Sequence, residues 1–227
     1  MFHAIDPLYY LFAIPGLILS MIASMYVKSA FAKYSRIKSA RGLTGAQAAY
    51  EMLLRSGVTD VKIEPVNGFL SDHYDPTSRT LRLSPDVFHS SSLAAIGVAC
   101  HEAGHALQHA SNYTWLGLRS SLVPVASFGS NFAYILFFLG MFINSTMLVN
   151  LGLLLFSLAV AFTIVTLPVE WNASARAKVA MVDNGIVTAA EREDAGTVLN
   201  AAFLTYVAAA VSAILTLLYY ILRSRRR

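Results

Sequence analysis

Residues 99–109 read Ala-Cys-His-Glu-Ala-Gly-His-Ala-Leu-Gln-His. On a helix, positions four apart share one face, so His101 and His105 can direct two imidazoles at a single metal ion. Glu102 follows the first histidine directly, where its carboxylate can reach a water in the metal's open position. Two nitrogen ligands, a third ligand from elsewhere and a base beside an activated water make up the zincin arrangement, with Zn2+ as the expected cofactor.

The flanks favour a helix. Residues 90–100 (SSSLAAIGVAC) are small and apolar, and no proline interrupts 87–123. Gly104 lowers helix propensity by about 1 kcal/mol relative to alanine. A position without a side chain beside the metal site lets another segment approach closely, which gives that glycine a purpose. A buried helix that merely happens to carry two histidines and a glutamate is the competing account, and burying three such groups without partners is costly.

Working outward, 56% of the 227 residues are hydrophobic and 13% are charged, where soluble domains carry about 25% charged residues. The mean hydropathy is +0.56. This composition points to a mainly α, multi-pass membrane protein, with the lipid bilayer as an obligate partner. The net charge of +4 comes from Lys and Arg scattered near hydrophobic ends, without interleaved aromatics, so no nucleic-acid partner is expected. Cys100 is the single cysteine, which excludes an intramolecular disulfide and a Cys-rich zinc site. Neighbours on a helix diverge by about 100°, so Cys100 reads as a small buried residue and not as a ligand beside His101.

Four runs are apolar and long enough to cross a bilayer: about 8–27, 122–143, 147–167 and 201–222. The first lacks a charged leader and a small-residue cleavage site and is expected to be a retained anchor. Pro168 is expected to close the third. The remaining stretches, 42–121 and 168–200, form a small zincin-like module within one domain spanning 1–227. In it Thr44 is a candidate N-cap for a helix over 46–55. Alternation at 61–64 and 80–83 predicts a short strand or hairpin around turn chemistry at 71–78. Ser84-Pro85-Asp86 is read as the start of the run into the zinc helix.

After His105 the chain meets no Asp, Glu or Cys until Glu170. An even number of spans lies between, which returns the chain to the same side, so Glu170 is the candidate third ligand. The blander account is a carboxylate near a helix N-terminus. Ser174, one turn on, is a candidate hydrogen-bond partner for a ligating imidazole.

The pairing of HEAGHALQ at 101–108 with PVEWNASARA at 168–177 resembles the YugP-like neutral zinc metallopeptidases, membrane relatives of the HtpX-type gluzincins. SDHYDP at 71–76, the Leu83-Ser84 pair and LTYVAA at 204–209 extend the resemblance over nearly the whole chain. It implies zinc at His101, His105 and Glu170, with Glu102 as general base. One departure is Asn172, where the family pattern usually carries an acidic residue. This puts the support of the ligands in question, but not the ligands themselves. The resemblance also places 71–76 in an edge strand or turn where a peptide substrate could pair backbone to backbone. His73 is then a candidate for stabilising an oxyanion, with Tyr206 and His109 as weaker candidates. An Asx turn before Pro76 is the plainer account of Asp75, and a structural histidine is the plainer account of His109.

These readings converge on a membrane-embedded zinc endopeptidase acting on peptide or protein substrates, membrane proteins among them. An intramembrane site-2-type protease is disfavoured, because no Leu-Asp-Gly string occurs and no Asp lies between Asp86 and Asp183. A non-catalytic zinc-binding scaffold has no use for Glu102. The basic residues Lys28, Lys33, Arg36, Lys38 and Arg41 place the catalytic face on the cytoplasmic side of a bacterial-type plasma membrane. Arg223, Arg225, Arg226 and Arg227 pull the other way, since four full spans put both termini on the opposite side.

Overall fold

A computed structural model describes residues 6–68 and 71–225; Arg226 and Arg227, two of the arginines weighed for orientation, lie outside the described residues. In chain order the elements are α1 (Pro7–Tyr34), α2 (Gly45–Arg55), β1 (Lys62–Pro65), β2 (His73–Asp75), β3 (Thr80–Leu83), α3 (Pro85–Phe88), α4 (Leu93–Ala110), α5 (Thr114–Phe142), α6 (Thr146–Asp183) and α7 (Ala189–Arg225). The fold is mainly α, and α1, α5, α6 and α7 are the four helices among the described residues long and apolar enough to cross a membrane.

The chain divides into two compact units. The first comprises Met1–Ser24, Gly117–Pro168 and Leu204–Arg227 and is purely helical among its described residues. Its α5–α6 hairpin turns at Asn144, which has φ 56°. Glycines let the two helices meet at backbone distance: a Cβ on Gly152 would lie 2.8 Å from the Ala133 carbonyl oxygen, and one on Gly129 at 2.8 Å from that of Leu155. Without a hydrophobic drive between helices in lipid, such close packing is the main source of their association. Phe137, Phe156 and Tyr220 fill the interior of this unit, while Leu17, Phe142 and Met147 face outward, as lipid-facing side chains should.

The second unit, Met25–Leu116 with Val169–Phe203, holds the sheet. Strand order is β1-β3-β2; β1 runs parallel to β3, with Lys62 opposite Thr80, and β2 runs antiparallel to β3, with His73 opposite Arg82. The alternating runs at 61–64 and 80–83 are therefore both strands, but they pair with each other in parallel. The true hairpin partner of β3 is a strand inside the stretch read as turn. Turn chemistry persists just beyond it: Asp75 accepts from the Thr77 amide at 2.9 Å and the Ser78 hydroxyl at 2.6 Å. The Ser78 bond first, and then the Thr77 amide, hold the Asp75 carboxyl down at about 2.

Thr44 caps α2 in a reciprocal box with Gln47, which ties down two otherwise orphan donors. The helix that carries His101 and His105 starts later than the proline suggests. Pro85 opens only the four-residue α3, and α4 begins afresh at Leu93 with Ser92 accepting from the Ala95 amide. The core joins Met52, Leu81, Leu83 and Ile96 to Met181, Ile186 and Leu199.

Pro168 does not end its helix. Val169, Ala173, Ala177 and Met181, each four apart, are fully buried, and this apolar stripe holds the helical conformation beyond the proline. The lost N–H costs one intrahelical bond, which membrane helices tolerate.

Candidate active site

The Val169 stripe also determines where Glu170 points. Glu170 and Ser174 share the adjacent row of α6, and both are buried, Glu170 to 2% exposure. Opposite them, α4 presents His101 and His105, whose rings lie edge-on with centroids 4.8 Å apart. Glu170 Oε2 is 3.2 Å from His101 Nε2 and 3.6 Å from His105 Nε2. These three side chains form a group able to hold a metal ion.

Four donors arranged tetrahedrally around zinc, at bonds of about 2.0–2.1 Å, sit about 3.3 Å from one another. The two separations at Glu170 bracket that value, and all three donor atoms lie within 4.8 Å of one another, so a small inward shift of the imidazoles fits the group to zinc. The donor set, two imidazole nitrogens and one carboxylate oxygen, is one that leaves a coordination position open. Glu102 is partly exposed beside this group. Burial of His105 disfavours its charged form, but the Glu170 hydrogen bond and the charges of Glu170 and Glu102 outweigh this and raise its pKa overall.

Gly104 shows how the two helices come this close. A Cβ there would lie 2.5 Å from the Ala173 carbonyl oxygen and 3.1 Å from its carbon. The obstacle is backbone, so no rotamer change relieves it. Gly104→Ala gains about 1 kcal/mol of helix propensity, against about 1–3 kcal/mol of overpacking. The displaced element is the one that carries Glu170. The expected result is a lowered melting temperature and zinc affinity down by about tenfold or more, read by thermal melt and metal titration. Unchanged affinity would show that α6 does not need this approach.

The remaining candidates fall into place individually. Ser174 Oγ is 3.0 Å from His101 Nδ1, the partner role read for it. Asn172 Oδ1 accepts from Gln108 Nε2 at 3.0 Å and from Arg176 Nε at 2.8 Å. An oxygen acceptor is thus retained at this position without the acidic group. His109 Nδ1 pairs with the Tyr74 hydroxyl at 2.8 Å, a contact that docks β2 on the end of α4. His73 Nδ1 bonds the carbonyl of Ser71 at 2.7 Å, and its side chain is exposed. Tyr206 belongs to the helical unit and not to the one that holds the histidines. Cys100 is fully buried, burial pushes its thiol pKa well up, and it lies outside the three-donor group.

Three participants went unread in the sequence: Gln108, Arg176 and Tyr74. Gln108 is fully buried and bonds His105 Nδ1 at 3.0 Å through Oε1. The available signal was its spacing, three residues after His105 on the same helix.

A family model described as "Putative neutral zinc metallopeptidase" matches residues 9–225. The chain is also similar to the "Putative membrane protease YugP" of Bacillus subtilis (strain 168). The two are 47% identical over 215 residues, which covers 95% of this chain and 96% of that protein. No solved structure gives a significant match. The similarity takes in α4 together with the four apolar helices, α6 among them. This chain belongs to the family described as "Putative neutral zinc metallopeptidase".

Proposed function

We propose that this protein is a zinc-dependent endopeptidase of the bacterial plasma membrane, with His101, His105 and Glu170 as metal ligands and Glu102 as general base. The observation that carries the reading is the meeting of three donor side chains from two helices within 4.8 Å of one another, the two Glu170 separations near a tetrahedral edge, with the Glu102 carboxylate beside them. When bound, zinc supplies Lewis-acid polarisation of the scissile carbonyl and a bound water whose pKa is lowered to about 7.

The chain's own residues do the rest. Glu102 takes the proton of the attacking water and returns it to the leaving amine. Ser174 holds His101 by its Nδ1 edge, and Glu170, buried between the imidazoles, keeps the ligand group anionic. Strand β2 lies at the edge of the sheet, where an extended peptide can pair as an added strand. Tyr74 ties that edge to α4. Peptide segments of other proteins, membrane proteins among them, are the substrate class. The basic residues Lys28 to Arg41 belong to the same unit as the site, which supports a cytoplasmic catalytic face.

The test is metal content and cleavage on one preparation. The purified protein should carry about one zinc per chain by plasma mass spectrometry. It should cut an unstructured reporter peptide, lose that activity to a chelator and regain it with added zinc. Zinc-free protein, or cleavage indifferent to chelation, would overturn the reading.

A further inference from the structure

His101 and His105 must each offer a bare Nε2 to a metal, which requires the proton of each neutral ring to sit on Nδ1. The groups facing the two Nδ1 atoms differ in what they can enforce. The Ser174 hydroxyl opposite His101 can donate or accept and imposes no tautomer. The group opposite His105 is an amide, and its polarity is set by a chain of hydrogen bonds with one permitted direction.

The chain begins at Arg176. A guanidinium only donates, so the Asn172 atom 2.8 Å from Arg176 Nε is the amide oxygen. That oxygen and the Val169 carbonyl face one end of the Gln108 amide at 3.0 and 2.8 Å. Two acceptors demand a donor, so that end is the NH2. The Gln108 oxygen is thereby turned to His105 Nδ1, 3.0 Å away, and can only accept from it. Gln108 is fully buried, so no water can substitute. Arg176 is itself held, with its guanidinium 5.7 Å over the Tyr113 ring.

We propose that Gln108 is a positioning residue that selects the metal-binding tautomer of His105, its amide locked in orientation by Arg176 acting through Asn172. The proposal rests on the zinc reading of the site. It also accounts for Asn172: what the position requires is an acceptor oxygen, which an amide and a carboxylate both provide.

Gln108→Met keeps the shape of the side chain and removes both donor and acceptor, while Asn172→Asp keeps the oxygen. Zinc affinity is read by chelator competition on folded protein in detergent. Gln108→Met should bind zinc about 10–100-fold more weakly, and Asn172→Asp should stay near wild type. In metal-free wild type, nitrogen-15 NMR of labelled histidine at mildly alkaline pH should show His105 protonated on Nδ1, assigned by comparison with His105→Ala. A folded Gln108→Met with wild-type affinity would overturn the proposal, because a purely packing role predicts that result. A proton on Nε2 of His105 in wild type would overturn it as well, and this measurement decides the matter even if Gln108→Met fails to fold. If wild type binds no zinc, the metallopeptidase reading fails, while the NMR result still judges the tautomer separately.

Discussion

Glu102→Gln should hold its zinc and lose peptide hydrolysis by a factor of about 10²–10⁴, the usual contribution of a positioned base. The substitution keeps the size of the side chain and removes only its ability to accept a proton. Glu102 is outside the three-donor group, so metal content should stay at the wild-type level. Initial rates and zinc stoichiometry measured on the same batch separate the two effects. Full hydrolysis by this variant would mean the base lies elsewhere, and zinc lost along with activity would move Glu102 into the ligand set.

Glu170→Ala should lose the metal. Zinc held by a complete ligand set is bound by about 10–16 kcal/mol, so removing one of three protein donors should weaken it on the order of 10³-fold. The helix itself should survive, because alanine is the best helix former and the Val169–Met181 stripe is untouched. The signature is therefore a folded protein that comes through gel filtration without zinc. His105→Ala should behave alike. Zinc retained by Glu170→Ala would point to another third donor. His109 and His73 are the next candidates, although both are engaged, with Tyr74 and with the Ser71 carbonyl.

The parts of this molecule that the sequence made legible are those governed by local periodicity. Two histidines four apart on an uninterrupted apolar run define a helix face, and His101 and His105 do share one. The place of Glu170 beside the histidines followed from scarcity, since no other carboxylate lies between it and His105. Thr44 capped its helix because a capping box is written in three consecutive steps of chain. What escaped was set by distant partners. Pro168 reads as a stop until the burial of Ala173 and Ala177 is known. Strand β2 looks like turn residues because its pairing partner, not its composition, makes it a strand. The parallel pairing of β1 with β3 has no local marker. Gln108 is an ordinary helix residue in sequence, and its importance comes from Val169 and Asn172, more than 60 positions away. The small Gly104 was the exception: a local oddity that signalled a long-range approach.

The histidine-bearing unit is built from two separated lengths of chain, Met25–Leu116 and Val169–Phe203, and this has a consequence for biosynthesis. Ribosomes add about 5–20 residues per second, so the 65 positions from His105 to Glu170 take roughly 3–13 s to make. Throughout that interval the nascent chain already carries both imidazoles and Glu102. It lacks the third donor, the oxygen and arginine that orient Gln108, and the Met181, Ile186 and Leu199 share of the core. A growing or prematurely terminated chain therefore lacks the complete three-donor group, and under the proposed zinc-peptidase function it cannot attack its own unfolded segments or those of chains emerging beside it. The three-donor group is complete only after the α5–α6 hairpin has been synthesised and the second length has packed against the first. Under that proposed function, the order of elements along the chain does what a removable inhibitory segment does in other proteases.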